Sequence, residues 1–411
     1  MNILIVNHYA GSPQYGMEFR PYYLAKEWIM QGHKVTIIGA NFSHLRNQQP
    51  QIKEDLESEN IGGIIYLWLK TPSYQGSGIK RIINMLTFVF KLFKYQKKII
   101  EQSSPDIVIA SSTYPLDVYA AYSIAKRNKA KLVFELHDMW PLSPMLIGGY
   151  SKYHPFIWLM QRAENFACKN CHYYISLLGN TKHYLVEHGL NEGKFHHIPN
   201  GFSLHEMNFD GVSIPKEHEE LLKRLKTESN LIIGYTGGHA PSNALKIFVS
   251  SSIHFNQNQT VAFVLVGNGS QKNELIQIAK ENNQNNVYFL PPVSKTSIPN
   301  LLSYFDLLYA GGTSSILHKY GTSYNKITDY MLAEKPIIFA VDEPNSLVEK
   351  VGCGIQIPAE NEPELLKTIQ FFSELSVEQR TQMGLKGREY ALAELNYTSL
   401  AKKFIEAIEK S

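Results

Sequence analysis

At 411 residues the chain is longer than one hydrophobic core usually organises, so two domains of comparable size are expected. A formal charge of +3 excludes a nucleic-acid binder that works through bulk electrostatics. Three cysteines do not build a disulfide framework, and no apolar run approaches the roughly 18 residues of a membrane span.

Met1 to Asn7 has no basic leader and reads as a first strand, Ile3 to Asn7, rather than a signal peptide, so a cytoplasmic protein is expected. The loop that follows, His8 to Phe19, lacks the Gly-x-Gly-x-x-Gly spacing of a dinucleotide site. Its glycines, Gly11 and Gly16, suit a loop that closes over a ligand, and the next helix opens with Glu18 and Arg20, the latter a candidate phosphate cation. A mobile loop before a capped helix explains the same residues.

Further strands are predicted at Lys34 to Gly39, Gly63 to Leu69, Asp106 to Ala110, Lys131 to Leu136 and Tyr173 to Leu177. Between Ile79 and Ile100 lies a helix with two apolar stripes. Ile79, Ile82, Ile83, Leu86, Val89, Phe90 and Phe93 form the one expected to face a core. Met85, Phe88 and Leu92 form another, beside Lys80, Arg81, Lys91, Lys94, Lys97 and Lys98. That second stripe suits an anionic lipid surface, so 79–100 is expected to touch the cytoplasmic membrane; the alternative is a core helix with a solvated basic face.

Strand Lys131 to Leu136 runs into His137, Asp138 and a Trp140-Pro141 turn. A histidine at a strand end would point into a ligand cleft, where it can donate or accept a hydrogen bond, which makes His137 a candidate catalytic group; the alternative is a packed polar residue. Cys168-Lys169-Asn170-Cys171-His172 matches the pattern of covalent haem attachment, yet a helix end, Gln161 to Lys169, with two packed thiols fits better.

Residues 208–230 are polar, with Gly211 and Pro215, and read as a linker between a first domain, 1–207, and a second, 231–375. Strands are predicted there at Leu231 to Tyr235, Val261 to Val266, Val287 to Leu290, Leu307 to Ala310, Pro336 to Ala340 and Gly354 to Ile357. Residues 376–411 are helical and either pack outside this sheet or cross back to the first domain. The alternation of strand and helix predicts an α/β protein of two Rossmann-like doubly wound domains facing each other across a cleft, with ligands at the C-terminal strand ends.

Three places in the second domain suit a nucleotide diphosphate. Gly237 and Gly238, before His239, allow close backbone approach to an anion. Pro292, Val293 and Ser294 form an extended segment whose backbone can read the edge of a base. Asn325 and Lys326 open a helix, a phosphate seat with an added full charge, and Asp329 one turn on can accept from a sugar hydroxyl. No Asp-x-Asp or His-x-x-x-His occurs, so no metal is expected and diphosphate departure falls to cations and helix dipoles.

The chain resembles, over nearly its whole length, the retaining glycosyltransferases of family 4, which have the GT-B fold. The residues that carry this are the Gly-rich first loop, Leu136-His137-Asp138, Ile198-Pro199-Asn200-Gly201, Val266-Gly267-Asn268-Gly269, and Asn325-Lys326 leading to Asp329-Tyr330-Met331 and Lys335-Pro336. The resemblance implies metal-free transfer from a nucleotide-sugar, expected to be UDP-linked, with His137 and Lys326 catalytic and no cofactor. In the family two Glu residues separated by seven others serve the donor. Here the second matches Asp329 and the first falls on Gly321, while the family's diphosphate Arg and Lys fall near Gly238 and Asn243. A subset that builds bacterial surface polysaccharides shares the Asn-Lys version. The expected acceptor is therefore a polyprenyl-linked saccharide of O-antigen, capsule or exopolysaccharide synthesis, and the expected enzyme a hexosyl- or N-acetylhexosaminyltransferase on the inner face of the membrane. A GT-B nucleotide-sugar epimerase and an inactive sugar-nucleotide-binding partner are the alternatives.

Overall fold

The computed structural model describes residues 1–17, 19–76, 78–207, 212–255 and 261–409. Glu18 and residues 208–211 thus lie outside the described residues. Two compact units separate, Met1–Ser203 with the chain from Tyr397, and Leu204–Asn396.

The first unit holds β1 (Asn2–Val6), β2 (Lys34–Ala40), β3 (Glu57–Ile61), β4 (Ile64–Leu69), β5 (Ile107–Ala110), β6 (Lys131–Leu136), β7 (Tyr173–Ser176) and β8 (Phe195–His197). They form one sheet in the order β3-β4-β2-β1-β5-β6-β7-β8, parallel except where β3 runs against β4. The strand order reverses between β1 and β5, which opens a crevice at their C-terminal ends. The sequence reading missed β3 and β8, the two edges. An edge strand buries at most one face, so β3, Glu-Ser-Glu-Asn-Ile, carries a single buried apolar residue, Ile61, and β8 none.

The central strands are apolar because helices cover both sides. On one side, α1 (Phe19–Met30) packs with the terminal helix Tyr397–Glu409. Trp28 Nε1 donates to the Ala401 carbonyl at 3.1 Å, Tyr23 stacks on Tyr397 at 5.0 Å, and Leu400, Phe404 and Ile408 complete this layer of the core. Each such side chain contributes about 1.5–3 kcal/mol through burial. Of the two courses open to the tail, its last helix thus takes the one that returns to the first unit.

On the other side lies α2 (Ile79–Ser103), and here the structure reverses the sequence reading. Met85, Phe88, Leu92 and Ile99 face inward, whereas Ile79, Ile83, Leu86, Phe90 and Phe93 are exposed. Periodicity identifies two stripes but does not say which the sheet will cover. The longer stripe is the outer one. Next to α2 packs α3 (Val118–Asn128), which buries Val118, Ala121 and Ile124. Cys168 and Cys171 are free and buried at the end of the helix Pro155–Asn170, and burial pushes both thiols up.

The second unit has a six-stranded sheet of β9 (Leu231–Thr236), β10 (Val261–Val266), β11 (Val287–Leu290), β12 (Leu307–Gly311), β13 (Ile337–Ala340) and β14 (Gly354–Ile357). The order is β11-β10-β9-β12-β13-β14, all parallel, so the reversal falls between β9 and β12. Within 212–230 lies the helix Lys216–Glu228, which buries His218, Leu222 and Leu225 in this unit. The helix Val377–Glu394 lies so close to the turn after Asn325–Leu332 that a Cβ on Gly384 would stand 2.0 Å from the Glu334 carbonyl oxygen. Among the described residues no helix is long and apolar enough to cross a membrane.

Candidate active site

At the β9/β12 reversal the helix Asn325–Leu332 is anchored by Tyr330, which is fully buried and whose hydroxyl accepts the Thr236 N–H at 3.0 Å. That anchor directs Lys326, one turn earlier, onto the loop after β9. Its Nζ donates to Tyr235 Oη at 3.1 Å and Asn243 Oδ1 at 3.0 Å, and sits 4.5 Å from the centre of the Tyr235 ring. Tyr235 Oη and Asn243 Nδ2 in turn donate to the Gly238 carbonyl at 2.7 and 2.9 Å. No carboxylate forms an ion pair with Lys326 among the described residues, and burial pushes its ammonium down to about 8. A desolvated cation with only dipoles around it is poised for an anion.

Gly237 adjoins this cation. A Cβ on it would stand 3.6 Å from Lys326 Nζ, and its φ of 137° is accessible to glycine alone at little cost. The structure thus brings Gly237, Gly238 and Lys326 together, with one correction. The Gly237 N–H already donates to the Val266 carbonyl at 3.0 Å, so it is not an anion donor. Gly238 is exposed, with nothing within 4 Å of the place of a Cβ. The His239 ring is fully buried and burial pushes it down to about 4, while its backbone N–H and carbonyl pair with Asn268 and Gln271. A ligand-binding role for His239 is therefore not supported by its placement; it packs beneath the loop as a neutral ring.

Asn325 is exposed at the first position of the helix, whose leading N–H groups have no side-chain cap. Asp329 lies exposed on the same helix, its carboxyl pushed up by partial desolvation against the opposing charge of Lys295. Lys295 follows Pro292, Val293 and Ser294, an irregular segment after β11 with Pro292 and Ser294 exposed, so that segment and Asp329 share one neighbourhood.

Gly321 is buried with φ 103°, a backbone state in which a side chain is strained. A carboxylate nevertheless stands beside it. Glu343, after β13, accepts the Thr322 hydroxyl at 2.6 Å and lines a cavity of about 350 Å³ with Asp342, Glu349 and Gln356. Sequence reasoning missed Glu343 because it arrives from another strand, and missed Tyr235 because it reads as one more apolar residue of β9. Among the described residues no group of three His, Cys, Asp or Glu side chains is arranged to hold a metal.

In the first unit His137 Nε2 lies 3.1 Å from Glu135 Oε2 and 2.9 Å from Ser111 Oγ, with its side chain 10% exposed. Ser111 Oγ donates to the same carboxylate oxygen at 2.6 Å, and Arg20 Nε donates to the other at 3.0 Å. Burial alone would raise the Glu135 carboxyl, but the Arg20 guanidinium, His137 and Ser111 outweigh it and hold the group well below the usual carboxylate range. A carboxylate only accepts, so it keeps a proton on His137 Nε2. Strand alternation puts residues 135 and 137 on one face, the signal by which Glu135 was discoverable.

Arg20 is not a phosphate cation. It is 5% exposed, and its two terminal nitrogens donate to the Pro199 and Ile198 carbonyls at 2.5 and 2.9 Å, tying α1 to the chain after β8. Asp138 likewise serves the turn after His137, accepting from Met139 N and Ser143 Oγ at 2.7 Å each and from Trp140 Nε1 at 3.2 Å. The loop with Gly11 and Gly16 is tied down rather than free to close. Tyr66 Oη donates to the Gly11 carbonyl at 2.8 Å, and the Asn47 and Gln48 N–H groups donate to the Tyr15 carbonyl.

Residues 15–206 match the family model Glycosyltransferase Family 4, and residues 230–373 match the model Glycosyl transferases group 1. The chain belongs to glycosyltransferase family 4. No curated protein matches this family 4 sequence. Solved structures do resemble it: HepE of Anabaena in complex with UDP-glucose has 16% identity and a TM-score of 0.65 over all of both chains. Sucrose-phosphate synthase of Thermosynechococcus elongatus has 13% identity and a TM-score of 0.69, over 100% of this chain and 99% of that one. WaaG, a glycosyltransferase involved in lipopolysaccharide biosynthesis, has 12% identity and a TM-score of 0.64, over 99% of this chain and 100% of that one. The shared architecture is the two-domain GT-B fold.

Proposed function

We propose that this family 4 protein is a retaining, metal-independent glycosyltransferase that moves a hexosyl or N-acetylhexosaminyl group from a UDP-linked donor to a lipid-linked saccharide, as in O-antigen, capsule or exopolysaccharide synthesis. The observation that carries the reading is Lys326, a half-buried ammonium held by Tyr235 and Asn243 with no ion-pair partner among the described residues, beside the Gly237-Gly238 turn. A diphosphate supplies the missing negative charge, and the uncapped helix start adds its dipole. The base lies along Pro292 to Ser294 and the ribose at Asp329. Glu343, beside Gly321, reads a hydroxyl of the transferred sugar, and His137 is the candidate catalytic group of the first unit. UDP-glucose in HepE and the lipopolysaccharide role of WaaG favour this assignment.

In the transfer the acceptor oxygen attacks the anomeric carbon on the face from which the diphosphate departs. The carbon–oxygen bond to the β-phosphate breaks, the departing phosphate oxygen takes the acceptor proton, and Lys326 stabilises the charge that develops on UDP. Lipid contact is assigned to the outer face of α2, where exposed Ile79, Ile83, Leu86 and Phe90 lie among exposed Lys80, Lys94, Lys97 and Lys98.

Thermal shift with UDP-, GDP- and dTDP-sugars tests the donor site. A ligand at a hundred times its dissociation constant stabilises by about 2.7 kcal/mol, and the shift is expected with UDP-sugars and lost in Lys326→Ala. No shift with any nucleotide, or one indifferent to Lys326, removes the donor reading. Gly321 favours a second reading, a sugar-nucleotide-binding partner without activity; UDP binding with neither transfer nor hydrolysis identifies it, and interconversion of the bound sugar identifies an epimerase.

A further inference from the structure

Where the first sheet reverses, between β1 and β5, the structure gathers cations that form no ion pair among the described residues. Arg46 is 5% exposed; its Nη2 donates to the Ala40 carbonyl and its guanidinium lies 5.2 Å from the Trp68 ring centre, but Nε and Nη1 are buried without a hydrogen-bond partner. Arg81, on the first turn of α2, reaches Tyr9 Oη only at 3.5 Å, and its buried Nε has no partner either. Exposed His44, whose Nδ1 lies 2.6 Å from Tyr74 Oη, stands beside them. His8 is fully buried there, and its imidazole is disfavoured as a cation by burial and by the charges of Arg46, Arg81 and His44.

Asp55 and Glu59 on neighbouring elements are engaged elsewhere, and fully buried Asp117, after β5, accepts the Ser112 N–H at 3.2 Å. Asp55 pairs with Lys91 at 2.8 Å, and Glu59 accepts from Tyr15 and Trp68 at 2.9 Å. Among the described residues neither arginine forms an ion pair. Two guanidinium groups in one desolvated neighbourhood repel each other, and their planar forks match a phosphate. Arg81 also belongs to the helix whose outer face carries Ile79, Ile83, Leu86 and Phe90, so an anion held at Arg81 sits next to a surface suited to hydrocarbon.

We propose that Arg81 and His44, with Arg46 behind them, form a phosphate site in the first unit that takes the phosphate or diphosphate of a prenyl-linked acceptor. The acceptor role rests on the transferase reading; the anion site does not. A phospholipid headgroup offers the same chemistry, and the experiment separates the two.

The full chain is titrated calorimetrically with pyrophosphate and with farnesyl diphosphate, each with and without saturating UDP, and sedimented with phosphatidylglycerol vesicles. Both diphosphates are expected to bind the UDP-loaded protein, farnesyl diphosphate more tightly. Arg81→Gln should weaken both at least tenfold without changing UDP affinity. Arg46→Met should do the same and Arg46→Lys restore most of it, with thermal melts confirming that each variant is folded. Loss of pyrophosphate binding on UDP loading, or affinities indifferent to both arginines, overturns the site. Vesicle binding that depends on Arg81 without farnesyl diphosphate binding overturns the acceptor assignment in favour of a headgroup. Arg81-dependent pyrophosphate binding by a protein that binds no UDP keeps this site and removes the donor reading.

Discussion

At the scale of single residues, the group with most consequence is Lys326. Its ammonium is held down to about 8 by burial, against 10.5 for the free group. Between those values the unfolded chain binds more protons than the folded one, so this residue's contribution to stability rises with pH from about 8 to 10.5 and its penalty is fully present below 8. At 1.36 kcal/mol per unit, that penalty is about 3 kcal/mol at most. Lys326→Met is therefore expected to raise the melting temperature of the ligand-free protein at pH 7 while abolishing the UDP response, and a variant that melts lower contradicts it. UDP affinity of the wild type should fall above pH 8, where the free protein loses the cation. Glu135 behaves oppositely: its depressed carboxyl contributes stability present above the ordinary carboxylate range and lost as pH falls through its folded value. Glu135→Gln leaves the Arg20 charge buried without its partner and should destabilise by about 3–5 kcal/mol in urea titration at pH 7.

At the scale of elements, α2 presents two apolar stripes with opposite fates. Phe88 is fully buried and stacks on His8 at 4.6 Å, so Phe88→Ala should cost about 3–5 kcal/mol. Leu86 and Phe90 are 44% and 65% exposed, so replacing both by Glu should leave the melting temperature within a degree or two of wild type. The same double variant is expected to sediment at least tenfold less with phosphatidylglycerol vesicles. Retained sedimentation would free α2 from the membrane role. The edge strands carry a related lesson: β3 and β8 have no apolar run because the sheet ends there, and nothing local in their composition distinguishes them from loops.

At the scale of the molecule, the first unit is completed by a helix that follows the second unit in the chain. The terminal helix Tyr397–Glu409 supplies Tyr397, Leu400, Phe404 and Ile408 to the layer over α1, so a protein ending at Asn396 exposes Tyr23 and Trp28. Calorimetry of that truncation should show the first unit melting well below wild type while the second, Leu204–Asn396, keeps its transition; a first unit that melts unchanged removes the helix from its core. The alternation of Val- and Ile-rich runs with helical patterns determined the parallel strands of the two sheets, because strands covered on both faces must be apolar throughout and a parallel pair needs a crossover. The sequence also determined the neighbourhood of the candidate donor site, since a helix start with one lysine and a glycine turn after a strand are local properties of the backbone. Only the tertiary structure decided which stripe of α2 is inside, that Arg20 is consumed by internal hydrogen bonds, and that Lys326 and Arg46 form no ion pair among the described residues. Arg20 and Lys326 meet partners 83 to 179 positions away, and the rest depends on what is missing from a neighbourhood; periodicity records how a segment is shaped but not what the rest of the chain brings against it.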